Sequence, residues 1–333
     1  MPPTSVPPRL LRRRPLFAAT GTLTLVLSVL AVLAGLFEDG DTRRSTRAPD
    51  AGEPWDAGLP WPREGQAAVH VDGVGGLGSH GSQTPVPIAS VTKVMTAYVI
   101  LRDHPLREGE SGPRITVDQQ AADESVSGVE STVPLERGQR LSQRQLLELT
   151  LIPSGNNAAR LLARWNAGSE EAFVTKMNRT ADALGMRRTT YTGASGLEPT
   201  TKSTAADQLK LARQAMRDEV FRSVVAQRDT SVPGSSRALP NTNALLDAPG
   251  VVGIKTGSST PAGGALMWAV QVPDRTGRQH LAVGVVLHQR ADTSPQEGLS
   301  AVFDSSRALV EALRHRMSTI DPAQAADTVS PTR

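Results

Sequence analysis

The chain of 333 residues contains no cysteine. That absence excludes a disulfide framework, a thiolate nucleophile, a zinc finger and a cysteine-bound iron–sulfur cluster. Its six histidines (His70, His80, His104, His280, His288 and His315) fall into no H-E-x-x-H or other close ligand spacing, so the pattern supports no metal site. No G-x-S-x-G elbow occurs, which argues against a Ser-His-Asp hydrolase. Lysine is scarce: of 36 basic residues only Lys93, Lys176, Lys202, Lys210 and Lys255 are not arginine. A one-signed charge is also missing from the body of the chain. The formal net charge is +3, yet residues 1–37 hold Arg9, Arg12, Arg13 and Arg14 and no acid, leaving 32 basic against 33 acidic groups elsewhere. A nucleic-acid-binding domain would carry its basic excess on the folded part, so no nucleic-acid partner is expected.

What the chain does have begins with residues 16–37, a run of 22 uncharged residues. As a helix it would extend roughly 33 Å, enough for the hydrocarbon core of a bilayer. Arg12, Arg13 and Arg14 precede it, which keeps the tail cytoplasmic and exports the rest of the chain. We therefore expect a transmembrane signal-anchor, or a signal peptide cut near Val32, Leu33 and Ala34. The expected organisation is a cytoplasmic basic tail (1–15), the membrane segment (16–37), a Pro/Gly-rich linker (38–64), one domain (65–317) and a flexible polar tail (318–333). The protein then lies outside the cytoplasm, held at the cell membrane by its N-terminal helix or secreted if that helix is cut.

Within the domain, residues 67–72 alternate as a strand and 90–103 read as a buried helix. Ser142 and Gln145 form a capping box for a helix ending before Pro153. Further helices are expected over 158–166, from Ser169 to Gly185, and as a pair over 204–217 and 218–227. The pattern then turns to strands at 251–255, 265–272 and 280–288 and closes with a helix over 299–317. This order suggests an α+β fold, a helical block on an antiparallel sheet. Gly73, Gly75 and Gly78 match G-x-G-x-x-G but open no helix, so they read as a hairpin turn and not as a dinucleotide site. Asn178 begins a glycosylation sequon inside a predicted helix and is taken as chance.

Three short motifs carry chemistry. Ser90 and Lys93 stand three apart at the expected start of a helix, where their side chains become neighbours. An amine there can take the hydroxyl proton if burial or a second cation keeps it neutral. In a chain that writes its cations as arginine, a retained lysine suggests a task arginine cannot perform, since arginine does not deprotonate. Ser154, Gly155 and Asn156 follow Pro153 on an expected turn, which could present a hydroxyl and an amide to a substrate. Lys255, Thr256, Gly257 and Ser258 are expected to end a strand. Its edge could pair with an extended peptide, Gly257 permits close approach, and Lys255 would lower the pKa of Lys93 by like-charge repulsion.

S-x-x-K, S-x-N and K-T-G in this order resemble the penicillin-binding proteins and serine β-lactamases. With residues 87–97, 153–159, 191–197, 203–207, 241–246 and 253–257 the chain resembles the S11 family of D-alanyl-D-alanine carboxypeptidases, of an actinobacterial type. The resemblance implies a serine β-lactamase/DD-peptidase-like fold, with helices flanking the antiparallel sheet plus an all-helical subdomain. It implies acylation of Ser90 with Lys93 as general base, Ser154 as proton carrier, and Asn156 as binder of the substrate amide. Lys255 and Thr256 would bind the peptide and its terminal carboxylate, with Gly257 beside them. The N–H groups of Ser90 and Ser258 would form the oxyanion hole. No metal or cofactor is implied; the expected partners are peptidoglycan stem peptides and β-lactams. Ser195 stands where relatives usually carry His before a Gly-Leu pair. A serine β-lactamase remains an alternative, for which Glu198 is the nearest candidate deacylation residue. A catalytically silent, membrane-tethered muropeptide-binding protein is another.

Overall fold

A computed structural model describes residues 58–319. The expected basic tail, the membrane segment and most of the linker lie outside the described residues, as does the C-terminal tail after Thr319. Among the described residues no helix is long and apolar enough to cross a membrane. A five-stranded antiparallel sheet organises the fold. It is built from β1 (Gln66–Val71), β2 (Gly75–His80), β3 (Val251–Ser259), β4 (Gly263–Pro273) and β5 (Gln279–Gln289), in the order β2-β1-β5-β4-β3. The glycine-rich stretch forms the β1–β2 hairpin, in agreement with the sequence reading.

The strands are apolar on both faces because both are covered. Leu266, Trp268 and Val270 of β4 join one core cluster with Val302, Leu309 and Leu313 of the C-terminal helix. The alternating residues Ala265, Met267 and Ala269 join the larger cluster beneath the helical block. This period of two is the geometry of a strand between two layers. Gly284 of β5 supplies the space for the Trp268 indole, which a Cβ there would overlap at 2.0 Å. Burying side chains of this size contributes roughly 1.5–3 kcal/mol each.

The helices are α1 (Lys93–Asp103), α2 (Gln119–Glu124), α3 (Gln143–Leu151), α4 (Asn156–Ala167), α5 (Glu170–Ala183), α6 (Ala205–Ala215), α7 (Glu219–Val225) and α8 (Pro295–Met317). Their starts follow the capping chemistry of the sequence. Ser142 and Gln145 close the expected box on α3, and Ser169, Thr204 and Asp218 each accept a backbone N–H as N-caps. Gly168, at φ 81°, ends α4. Three expectations change. The segment expected as one helix from residue 90 starts with a 3-10 turn, Ala89–Thr92, and α1 begins only at Lys93. The strand expected to stop within the K-T-G segment continues through it to Ser259, because β4 pairs with it along that length. The last helix starts at Pro295, four residues early, because Ser294 and Glu297 form a second capping box with Pro295 at the first position.

Candidate active site

The 3-10 turn holds Ser90 at the junction of sheet and helical block. Its first residue, Ala89, is buried at φ 46°, a left-handed conformation that costs energy for a non-glycine residue. Two neighbours enforce it. Thr92 Oγ1 donates to Ala89 O at 2.8 Å, and Gly196 packs so closely over Ala89 that a Cβ there would overlap the same carbonyl at 1.9 Å. On the other side, a Cβ at Gly257 would sit 2.9 Å from Ser90 N and 3.0 Å from Val91 N. The strand bearing K-T-G is thus pressed against the backbone of Ser90, and β3 is an edge strand of the sheet.

Lys93 lies one turn beyond Ser90, fully buried. Its Nζ is 2.8 Å from Ser90 Oγ, 2.5 Å from Asn156 Oδ1 and 2.9 Å from the Ser195 carbonyl. Its pKa is held well below that of a free lysine, first by burial and then by the charges of Lys255 and Arg160; Glu130 and Glu198 oppose this. The sequence reading offered burial or a second cation as the cause; both act, and burial is the larger. Lys255, 1% exposed, is itself lowered to about 7 by burial. Its Nζ donates to Thr242 Oγ1 at 3.4 Å, and Thr242 Oγ1 lies 2.7 Å from Thr256 Oγ1.

Ser154 is buried at φ 68°. The adjoining Ile152 carbonyl accepts from the backbone of Thr242 at 3.1 Å, which ties the S-x-N turn to the K-T-G strand. Among the described residues no hydrogen bond joins the Ser154 hydroxyl to Lys93 or Lys255. Asn156 opens α4 in place of the expected start at 158. A cleft of about 550 Å³ runs past Ser90, Asn156, Gly196 and Ser258, with Glu130 on its wall and Val129 and the half-exposed Leu197 at its rim. Of the eight motif residues given site roles, Ser90, Lys93 and Asn156 are joined by direct hydrogen-bond contacts. Gly257 and Ser258 abut the Ser90 turn and the cleft, Lys255 and Thr256 meet at Thr242, and Ser154 lies on the adjoining turn.

The sequence reading missed Glu130, Glu124 and Arg160, and it gave no role to Thr242, which lies in the stretch 241–246. Arg160 spans two carboxylates, with Nη2 at 2.8 Å from Glu130 Oε1 and Nε at 2.9 Å from Glu124 Oε2. Asn156 Nδ2 donates to Glu130 Oε2 at 2.6 Å. The one available signal was the four-residue spacing of Asn156 and Arg160 on one helix face. Glu198 Oε2 is buried against Gly193 and has no hydrogen-bond partner among the described residues. Among the described residues no group of three potential metal ligands converges.

A profile of the peptidase S11 family, D-alanyl-D-alanine carboxypeptidase, matches residues 63–286. A D-alanyl-D-alanine carboxypeptidase of Streptomyces sp. strain K15 is 32% identical over 66% of this chain and 78% of its own length. A D-alanyl-D-alanine endopeptidase of Pseudomonas aeruginosa is 40% identical over 49% of this chain, and the match spans 52% of that protein. Penicillin binding protein 6B of Escherichia coli superposes with a TM-score of 0.66 at 27% identity, covering 79% of each chain.

Proposed function

Because this chain belongs to the S11 family of D-alanyl-D-alanine carboxypeptidases, we propose that it is a serine-type carboxypeptidase acting on D-Ala-D-Ala stem peptides of peptidoglycan. Lys93, as the neutral amine, takes the proton from Ser90 Oγ while that oxygen attacks the carbonyl of the penultimate D-Ala. The developing oxyanion is met by the backbone N–H groups of Ser90 and Ser258. Ser154 passes the proton on to the nitrogen of the departing D-Ala. Water then attacks the acyl-enzyme by the same base and releases the shortened peptide. Asn156 binds the substrate amide, Lys255 and Thr256 hold the terminal carboxylate, and Gly257 lets the extended peptide lie along the edge of β3. A β-lactam occupies the same place and acylates Ser90.

One observation carries this reading: a fully buried lysine amine 2.8 Å from a serine hydroxyl at the edge of an open cleft. Burial supplies the neutral base that the chemistry requires. The β-lactamase alternative lacks support of this kind: among the described residues Glu198 Oε2 finds no hydrogen-bond partner, and the side chain packs against Gly193. Residues 16–37 hold the enzyme at the outer face of the cytoplasmic membrane. The support for this is the uncharged run and the arginines before it. To test the activity, the full-length chain is incubated with a fluorescent penicillin and the adduct is mapped by mass spectrometry. A single adduct on Ser90, lost in Ser90→Ala, is expected, together with D-Ala release from a stem peptide. Equal labelling of wild type and variant refutes the reading.

A further inference from the structure

A neutral amine has two N–H bonds and one lone pair, and Lys93 Nζ has three oxygens around it. For the lone pair to face Ser90 Oγ, both N–H bonds must find acceptors elsewhere. The Ser195 carbonyl can only accept. The Asn156 side chain can present either end; were it turned, Nδ2 would compete for the lone pair that Ser90 needs. Glu130 forbids the turned state. An ionised carboxylate only accepts, so the 2.6 Å contact with Glu130 Oε2 must come from Asn156 Nδ2, and Oδ1 must face Lys93.

Glu130 is held in turn. Arg160 contacts both of its oxygens, Nη2 to Oε1 at 2.8 Å and Nη1 to Oε2 at 3.1 Å, and is itself anchored by Glu124. Arg160 is only 7% exposed, and a forked guanidinium–carboxylate pair fixes orientation as well as distance. We propose that Glu130 and Arg160 are a positioning pair that sets the amide of Asn156, thereby aiming the lone pair of Lys93 at Ser90 and leaving the second Nδ2–H for the substrate carbonyl. Neither residue belongs to the three motifs. The proposal rests on the acyl-enzyme reading above and deepens it.

The pair also tunes the base. The charged groups acting on Lys93 are Lys255 on β3, Arg160 on α4, and Glu130 and Glu198 on loops. Glu130→Gln removes an anion that raises the lysine and bares the cation that lowers it. Both effects move the acid limb of acylation to lower pH. The Gln amide can itself face either way, so Asn156 loses its single orientation.

The experiment follows the rate of fluorescent-penicillin labelling of the full-length chain against pH, with a thermal melt of each variant. Glu130→Gln is expected to slow labelling at neutral pH about 10- to 100-fold and to shift the acid limb downward. Adding it to Asn156→Ala should change the pH-independent rate above the acid limb by less than about 2-fold, since Glu130 positions the base through that side chain, while its direct charge effect on Lys93 moves only the limb. Glu130→Asp, which keeps the charge but retracts it, should slow labelling without moving the limb, and it serves if the Gln variant folds poorly. Folded Glu130 variants that label at the wild-type rate, or a loss of equal size in the Asn156→Ala background, overturn the pair alone. A wild-type chain not labelled on Ser90 overturns the acyl-enzyme reading and the pair with it.

Discussion

Lys255 shows how burial turns an ordinary cation into a titrating one. Its value of about 7 means that in the empty cleft the ammonium disappears as pH rises through neutrality. The attraction for a substrate carboxylate fades over the same range. Catalytic efficiency on a D-Ala-D-Ala peptide should therefore fall above about pH 7, mainly through a rising KM. Lys255→Arg, whose guanidinium keeps its proton, should lack this limb. Steady-state rates across neutral pH decide it, and a flat wild-type profile would contradict the assignment. Stability responds in the same direction as the proton balance. Between about 7 and 10.5 the unfolded chain holds a proton that native Lys255 has released. This group's contribution therefore makes the native state more stable as pH rises through that window. At this scale the motif residues were legible because lysine is rare in the chain and stands at meaningful spacings. Glu130 and Arg160 were not, since a charged residue in a loop or on a helix usually marks a solvated face.

Among elements, β3 lies in close contact with the 3-10 turn of Ser90. Gly257 needs no left-handed backbone; it is required for space alone. In Gly257→Ala the added methyl would stand 2.9 Å from Ser90 N. Either the strand or the Ser90 turn must then move by a few tenths of an ångström. We expect a loss of about 10- to 100-fold in the penicillin acylation rate, since small misplacements of reacting groups have effects of this size, with the chain still folded by its melting curve. Undiminished acylation would show that the strand does not hold the oxyanion geometry. Helix starts at this scale were readable from their caps, because a cap is satisfied within three residues. The 3-10 turn was not. It is packed against Gly196 and Gly257, which lie more than a hundred residues away along the chain.

For the whole molecule, the described residues fall within one unit by their contacts, with a core on each face of the sheet. A chain starting at residue 52 should therefore fold, stay in solution and label with penicillin at the rate of the full-length protein. The full-length chain should sediment with membranes and resist carbonate extraction. An intact mass corresponding to cleavage near residue 34, with the product in the medium, would replace the anchor with a signal peptide. The sheet's place after a helical block was expected from the switch of hydrophobic period. Its strand order was not, because β1 pairs with β5 across some two hundred residues.

What the sequence determined by itself is local. Caps, turn glycines, the strand and helix periods, and the spacing of Ser90 and Lys93 all act over a few residues, where the covalent chain dictates which groups can meet. Tertiary structure alone decided what surrounds Lys93. Asn156 and Ser195 reach Lys93 across 63 and 102 residues, and Glu130 reaches Asn156 across 26. Packing of the helical block against the sheet makes these meetings, and it also strips water from Lys93, the largest cause of its lowered pKa.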